Sequence, residues 1–217
     1  MEFDEAVRRR RMVRGYDPDR PIPRAVLDRL LDLATRAPSA GFSQGWDFVV
    51  LRTGPARNRF WSAAADPDQS PDQSPDPWLT GMRSAPTLLV CLSDPQRYLD
   101  RYAEPDKGWT DRDPGRWPVP YWDTDVAMAT MILLLGLVDA GLAGCFFGVP
   151  SQRHEAVKAA LGAPPDRRVV GVVSAGYAAA DRRSPSLRRG RRPVPEVVHD
   201  ATWGAPWTPG PVSDPSG

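Results

Sequence analysis

The sequence predicts an α/β or α+β domain built around a small central sheet. Two observations carry this. Short apolar runs suited to strands, at 48–51, 87–92, 144–149 and 169–173, recur between stretches with helical spacing. Two helical stretches also precede the first strand, which a plain alternation of strand and helix would not have. A chain of 217 residues with 41% hydrophobic content is long enough to bury one sizeable core.

Taken in order, residues 3–10 read as a short first helix. The prolines of 17–19 and 21–23 fix an extended turn. A second helix runs from about Arg24 to Arg36, with Val26, Leu27, Leu30, Leu31 and Ala34 on one apolar face. Phe48-Val49-Val50-Leu51 is a buried strand, and residues 55–64 are helical. The tetrapeptide Asp-Gln-Ser-Pro then occurs twice over 68–75, which reads as a surface loop. Thr87 to Leu92 is a second buried strand. Residues 103–120 lack periodicity but contain Trp109 and Trp117, as a lid or an aromatically anchored loop would.

Asp123 to Ala140 is the core helix. Its charge-free run, Val126 to Val138, is too short to span a bilayer and is apolar all round, so burial on every face calls for a second subunit. Ala127, Met131, Leu134, Val138 and Leu142 mark one side as core or interface. Residues 144–149 form a short strand with a glycine exit. Residues 151–161 form a helix with Ser151 as N-cap, and 169–173 a clear strand. The segment from Trp203 to Gly217 is rich in Pro, Gly and Ser and reads as a frayed end, with a tail over 205–217.

The formal net charge is only +1, from 28 basic and 27 acidic residues, which argues against a general nucleic-acid binder. Cys91 and Cys145 sit in apolar, strand-like contexts and read as buried free thiols, which suits a reducing, cytoplasmic setting. No apolar leader is seen at the start. There is no GxGxxG after a first strand, no Walker loop and no G-x-S-x-G elbow. His154 and His199 lack partners at metal-ligand spacing, so no metal site is expected. An enzyme so equipped would rely on a bound organic cofactor.

All but two of the basic residues are arginine. They cluster at Arg8, Arg9, Arg10, Arg11 and Arg14, and again at Arg188, Arg189, Arg191 and Arg192. Arginine binds phosphate bidentately. The clusters are therefore either one pocket for a phosphorylated ligand, brought together by folding, or two solvated basic ends.

Five segments, in order, resemble the FMN-dependent nitroreductase family over roughly residues 3–204. Residues 10–16, Arg-Arg-Met-Val-Arg-Gly-Tyr, are similar to its R-R-S-x-R-x-F segment. Asp19-Arg20-Pro21-Ile22-Pro23 resembles its proline turn. Residues 37–48 are similar to A-P-S-x-x-N-x-Q-P-W-x-F, and 141–148 to G-L-G-x-x-x-x-G. Arg189-Gly190-Arg191-Arg192-Pro193 resembles its basic segment near the C-terminus. The resemblance implies an α+β three-layer sandwich: a central, mainly antiparallel sheet flanked by helices in an intertwined homodimer, with an FMN site at each interface.

The resemblance also implies roles. Arg10, Arg189 and Arg191 would hold the FMN phosphate, with Arg11 and Met12 in the same segment. Arg14 would stand near the pyrimidine side of the flavin, where a cation stabilises an anionic reduced ring. Ser39, Gly41, Phe42 and Gln44 would line the flavin edge. Phe146, Phe147, Gly148 and Val149 would form the loop over the ring. Hydride chemistry belongs to the flavin, with NAD(P)H as electron donor, so no catalytic side chain is expected.

Three positions depart from the pattern. Met12 replaces a serine, Phe42 an asparagine and Gly45 a proline. Phe42, Trp109, Trp117, Tyr121 and Trp122 are candidates for an aromatic pocket over the flavin, suited to a flat aromatic or unsaturated substrate; packing is the competing explanation for each. The leading expectation is reduction of a nitroaromatic, quinone or enone. The alternatives are a flavin-dependent oxidase or dehydrogenase in a biosynthetic pathway, a non-catalytic flavin binder and, least favoured by charge, an anionic-polymer binder. No membrane partner is expected.

Overall fold

The computed structural model describes residues 1–65, 76–179, 184–208 and 210. The tandem repeat at 68–75 lies outside them. Contacts divide the chain into two units, Met1–Arg182 and Arg183–Gly217.

The first unit is a four-stranded antiparallel sheet between helices. Its strands are β1 (Trp46–Leu51), β2 (Thr87–Ser93), β3 (Ala143–Phe147) and β4 (Arg168–Gly176), in the order β1-β2-β4-β3. Alternation along β2 explains the layers, because successive side chains point to opposite faces. Leu88, Val90 and Leu92 join a cluster with Phe60, Trp61, Met82 and Val157. Leu89 and Cys91 join another with Leu27, Leu30, Val126, Leu133 and Leu137. Helices α3 (Gly54–Ala64), α4 (Pro77–Arg83) and α7 (His154–Leu161) supply the first cluster; α2 (Arg24–Ala34) and α6 (Tyr121–Asp139) supply the second. This is the expected α+β three-layer arrangement.

Two helices complete the unit: α1 (Phe3–Arg9) and α5 (Pro95–Ala103). Neither α4 nor α5 was expected from periodicity. Both begin at an Asp-Pro pair whose aspartate caps the helix: Asp76 accepts from the Trp78 N–H and Asp94 from the Arg97 N–H.

Several expectations need correction. β1 is an edge strand, with Phe48, Val49 and Val50 only half-buried; among the described residues no strand pairs with its outer side. Ser151 does not cap a helix by its side chain; residues 151–153 form a 3-10 turn, and α7 starts at His154. α6 is longer than its charge-free core and is not buried all round in the single chain. Trp122, Val126, Ala129, Leu133 and Leu137 are buried, whereas Met128 and Met131 are 39% and 40% exposed. By length and hydropathy α6 could cross a membrane. Its packing against the sheet and α2 explains the same composition as that of a core helix.

In the second unit, Pro185–Arg189 and Val194–Glu196 are 3-10 turns. Arg192 donates to the Glu196 carbonyl at 2.7 Å and lies 3.6 Å from its carboxylate. His199 bridges to Pro206 and packs on Trp203.

Candidate functional site

The segment after α1 is stitched along β3. Met12 forms a parallel bridge with Gly144, and the Val13 N–H donates to the Gly144 carbonyl at 3.1 Å. The Met12 sulfur stands 3.4 Å from the Phe146 N–H. The thioether thus occupies a backbone donor here, a role a shorter serine side chain would not reach in the same way. The Tyr16 hydroxyl anchors the far end, 2.5 Å from the Val13 carbonyl and 2.8 Å from the Ser174 hydroxyl. The Tyr16 N–H donates to Ser84 at 3.0 Å. α4 presses on this segment so closely that a Cβ on Gly81 would collide with the Arg14 carbonyl.

The basic residues here are not equivalent. Arg8 and Arg9 form exposed helical ion pairs with Asp4 and Glu5. Arg11 is exposed. Arg10 is half-buried, and its Nη1 is buried with no hydrogen-bond partner among the described residues. An unsatisfied buried donor on a cation is costly, and an anion would relieve it. Arg14 is half-buried, with Nη1 3.4 Å from the Met12 carbonyl.

At the exit of β3, Phe147 turns into the core, stacked on Trp61 at 5.7 Å and meeting Trp78 edge-on at 5.8 Å. Gly148 is exposed, with open space where a Cβ would stand. Val149 is held through its carbonyl, 3.0 Å from His154 Nε2. These residues, with Trp61, Trp78, Leu79 and Arg83, line a cavity of about 170 Å³. That is room for a single aromatic ring. The Arg83 guanidinium lies over the Trp61 ring at 5.7 Å. Trp61, Trp78 and Arg83 were not among the sequence candidates. Trp78 directly follows the low-complexity stretch, and Trp61 sits in a helix of weak amphipathicity, so neither stood out.

The loop 39–45 precedes β1. Gly41, Phe42 and Gln44 all have left-handed backbones, with φ of 61°, 58° and 52°. For Phe42 and Gln44 this is strained, and such strain persists only where surroundings impose it. Ser39 Oγ accepts from the Gln44 N–H at 3.0 Å, so Ser39 and Gln44 are brought together. Arg101 Nε donates to the Gly41 carbonyl at 2.9 Å, and the Tyr102 ring lies directly beside Gly41. Phe42 is 76% exposed. Glycine at 45 is explained by crowding: a Cβ there would run into the Tyr98 ring and come within 2.9 Å of the Asp94 carbonyl.

Trp109, Trp117, Tyr121 and Trp122 do come together, but as packed rings rather than as the lining of that cavity. Trp117 is their centre, 4.6 to 6.0 Å from Tyr102, Trp109, Trp122, Tyr121 and Tyr98. Phe42 stands on the neighbouring loop. Arg189 and Arg191 are exposed in the second unit. Among the described residues no group of His, Cys, Asp and Glu is arranged to hold a metal.

An antiparallel sheet sandwiched by helices, with arginines and a glycine-bearing loop at one edge strand, is an α+β architecture. Comparison with known proteins supplies the rest. The nitroreductase family profile matches residues 7–177. A protein of Archaeoglobus fulgidus, provisionally named NADH dehydrogenase/NAD(P)H nitroreductase, is 28% identical over 77% of this chain and 80% of its own. The chloronitrobenzene nitroreductase of Comamonas testosteroni is 28% identical over 81% of this chain and 86% of its own. Among solved structures, a provisionally named nitroreductase of Exiguobacterium sibiricum in complex with FMN aligns with a TM-score of 0.66. It is 19% identical over 89% of this chain and 98% of that one. The chain belongs to the nitroreductase family, and it is an oxidoreductase of that kind.

Proposed function

We propose that the enzyme takes reducing equivalents from NAD(P)H and delivers them to a small aromatic or unsaturated acceptor, a nitroaromatic, quinone or enone. The observation that carries this is the buried, unpartnered Arg10 Nη1 two residues from the Met12–Gly144 bridge. A phosphate oxygen is the kind of partner that donor needs. The bound flavin supplies the hydride chemistry.

The chain's own residues bind, orient and exclude water. Arg10 holds the phosphate. Arg14 places positive charge near the pyrimidine side, where it favours an anionic ring. Ser39 and Gln44 line the flavin edge, and the backbone of 146–149 covers the ring. The Trp61, Trp78 and Phe147 rings make the wall of the cavity largely aromatic.

The enzyme acts as a homodimer in this reading. The loop 39–45 leads into β1 and the 146–149 loop leaves β3, the two opposite edge strands. Three strand spacings, about 14 Å, separate those strands. Two copies, each contributing one edge, would bring both sets of contacts to one flavin. The exposed Met128 and Met131 on α6 give an apolar face to pack across such an interface.

A second reading, a flavin-dependent oxidase or dehydrogenase of a biosynthetic pathway, is favoured by the apolar Phe42 side chain on the strained loop. Anaerobic mixing with NADPH separates the two. Rapid bleaching of the flavin supports the reductase; an unbleached flavin supports the other. The central test is the visible spectrum after purification and FMN addition. A colourless chain that takes up no FMN overturns the proposal.

A further inference from the structure

The carboxylate of Asp125 on α6 is buried, the residue being 1% exposed, and among the described residues no cation pairs with it. One oxygen, Oδ2, accepts from the Ala40 N–H at 2.9 Å and from the Tyr98 hydroxyl at 2.7 Å. Oδ1 lies 3.4 Å from the Thr124 hydroxyl. Burying a carboxylate without a cation is expensive, and a well-packed apolar residue would serve stability better. The carboxylate grips the backbone donor that opens the turn carrying Gly41, Phe42 and Gln44 in left-handed conformations. Tyr98 links the same grip to α5, whose Arg101 holds the Gly41 carbonyl.

We propose that Asp125 is a positioning residue: through Ala40 and Tyr98 it imposes the strained conformation of the 39–44 loop and so fixes the Ser39 and Gln44 contacts at the flavin edge. This rests on the proposed flavin site. Strain held by a buried charge defines one geometry for the loop, where a relaxed loop would sample several. The clamp ties the 39–44 loop and α5 to α6, so loosening it frees the loop without touching the arginines assigned to phosphate.

The test uses the full chain with and without FMN. Asp125→Ala deletes the acceptor. Ala40→Pro deletes only the donor: Ala40 opens a 3-10 turn, and the extended Ser39 backbone, φ −143° and ψ 145°, suits a residue before proline. Asp125→Asn keeps an acceptor in place. Amide exchange of residues 42–44 should rise about tenfold or more in the alanine and proline variants. The visible circular dichroism and midpoint potential of bound FMN should shift in the same two, and return towards wild type in Asp125→Asn. Unchanged exchange overturns the clamp. Faster exchange with an unaltered flavin spectrum and potential overturns the positioning role, leaving a structural one. Should Asp125→Ala fail to fold, Ala40→Pro alone decides by the same readouts. A wild-type chain that takes up no FMN overturns the flavin reading and this role with it, and the apo exchange data show separately whether the clamp exists.

Discussion

Arg10 is the residue whose environment most directly asks for a ligand. Arg8 and Arg9 satisfy their charges on the helix surface, but Arg10 keeps a buried nitrogen with no partner among the described residues. Replacing it with alanine removes a charge-assisted phosphate contact. FMN affinity should fall by about 1.5–3 kcal/mol, or roughly 10- to 150-fold, in a fluorescence titration. Arg191→Ala should do the same if the C-terminal arginines share the phosphate; unchanged affinity there would remove the second cluster from the site. Two other residues set the alkaline limit of stability. Burial pushes the Cys91 thiol up from 9.0 to about 12. Tyr98 is also raised, first by burial and then by its bond to Asp125. Both groups hold their protons more tightly folded than unfolded, so their contribution is complete below their ordinary values. It is lost as pH rises towards the folded ones. The thermal midpoint should fall above pH 9, and Cys91→Ala should make that fall shallower between pH 9 and 12.

At the scale of elements, the closest approach that positions the site is α4 against the 10–14 segment. Gly81 faces the Arg14 carbonyl with no room for a methyl group, and the obstacle is backbone, which cannot swing away. Gly81→Ala should cost about 1–3 kcal/mol in urea unfolding and weaken FMN binding, because it displaces the Arg14 backbone. What the sequence made legible here follows from physics. β2 and β4 were readable because both faces are buried, which leaves continuous apolar runs. α6 was readable by its length of apolar residues. α5 was not, because it buries little beyond Tyr98, and its Asp-Pro start resembles any turn. The arginine segment and the 146–149 loop were legible as motifs. The left-handed Phe42 and Gln44 were not, since nothing in a non-glycine residue announces positive φ. Nor could the sequence tell that Trp117 would fill the middle of a ring cluster while Trp61 and Trp78 walled the cavity. That choice is made by the packing of distant segments.

For the whole molecule, the question is how a site drawn from opposite sheet edges becomes one site. β1 and β3 are the outer strands, so on the proposed assignment a monomer offers each flavin only part of its contacts. The exposed methionines of α6 lie on a helix whose other face is core, which is how a helix serves both a fold and an interface. Met131→Lys puts a charge on that face and leaves the buried side untouched. The prediction is a shift from dimer to monomer in analytical ultracentrifugation, with far-ultraviolet dichroism retained. FMN binding should weaken in parallel, although Met131 is none of the residues assigned to the flavin. The two losses should share one concentration dependence, because ligand that binds only the dimer also stabilises it by mass action. Added FMN should then restore the dimer of the variant at high protein concentration. If the lysine variant is monomeric yet binds FMN as tightly as the wild type, each chain completes its own site. The edge strands would then have to be bridged within one chain.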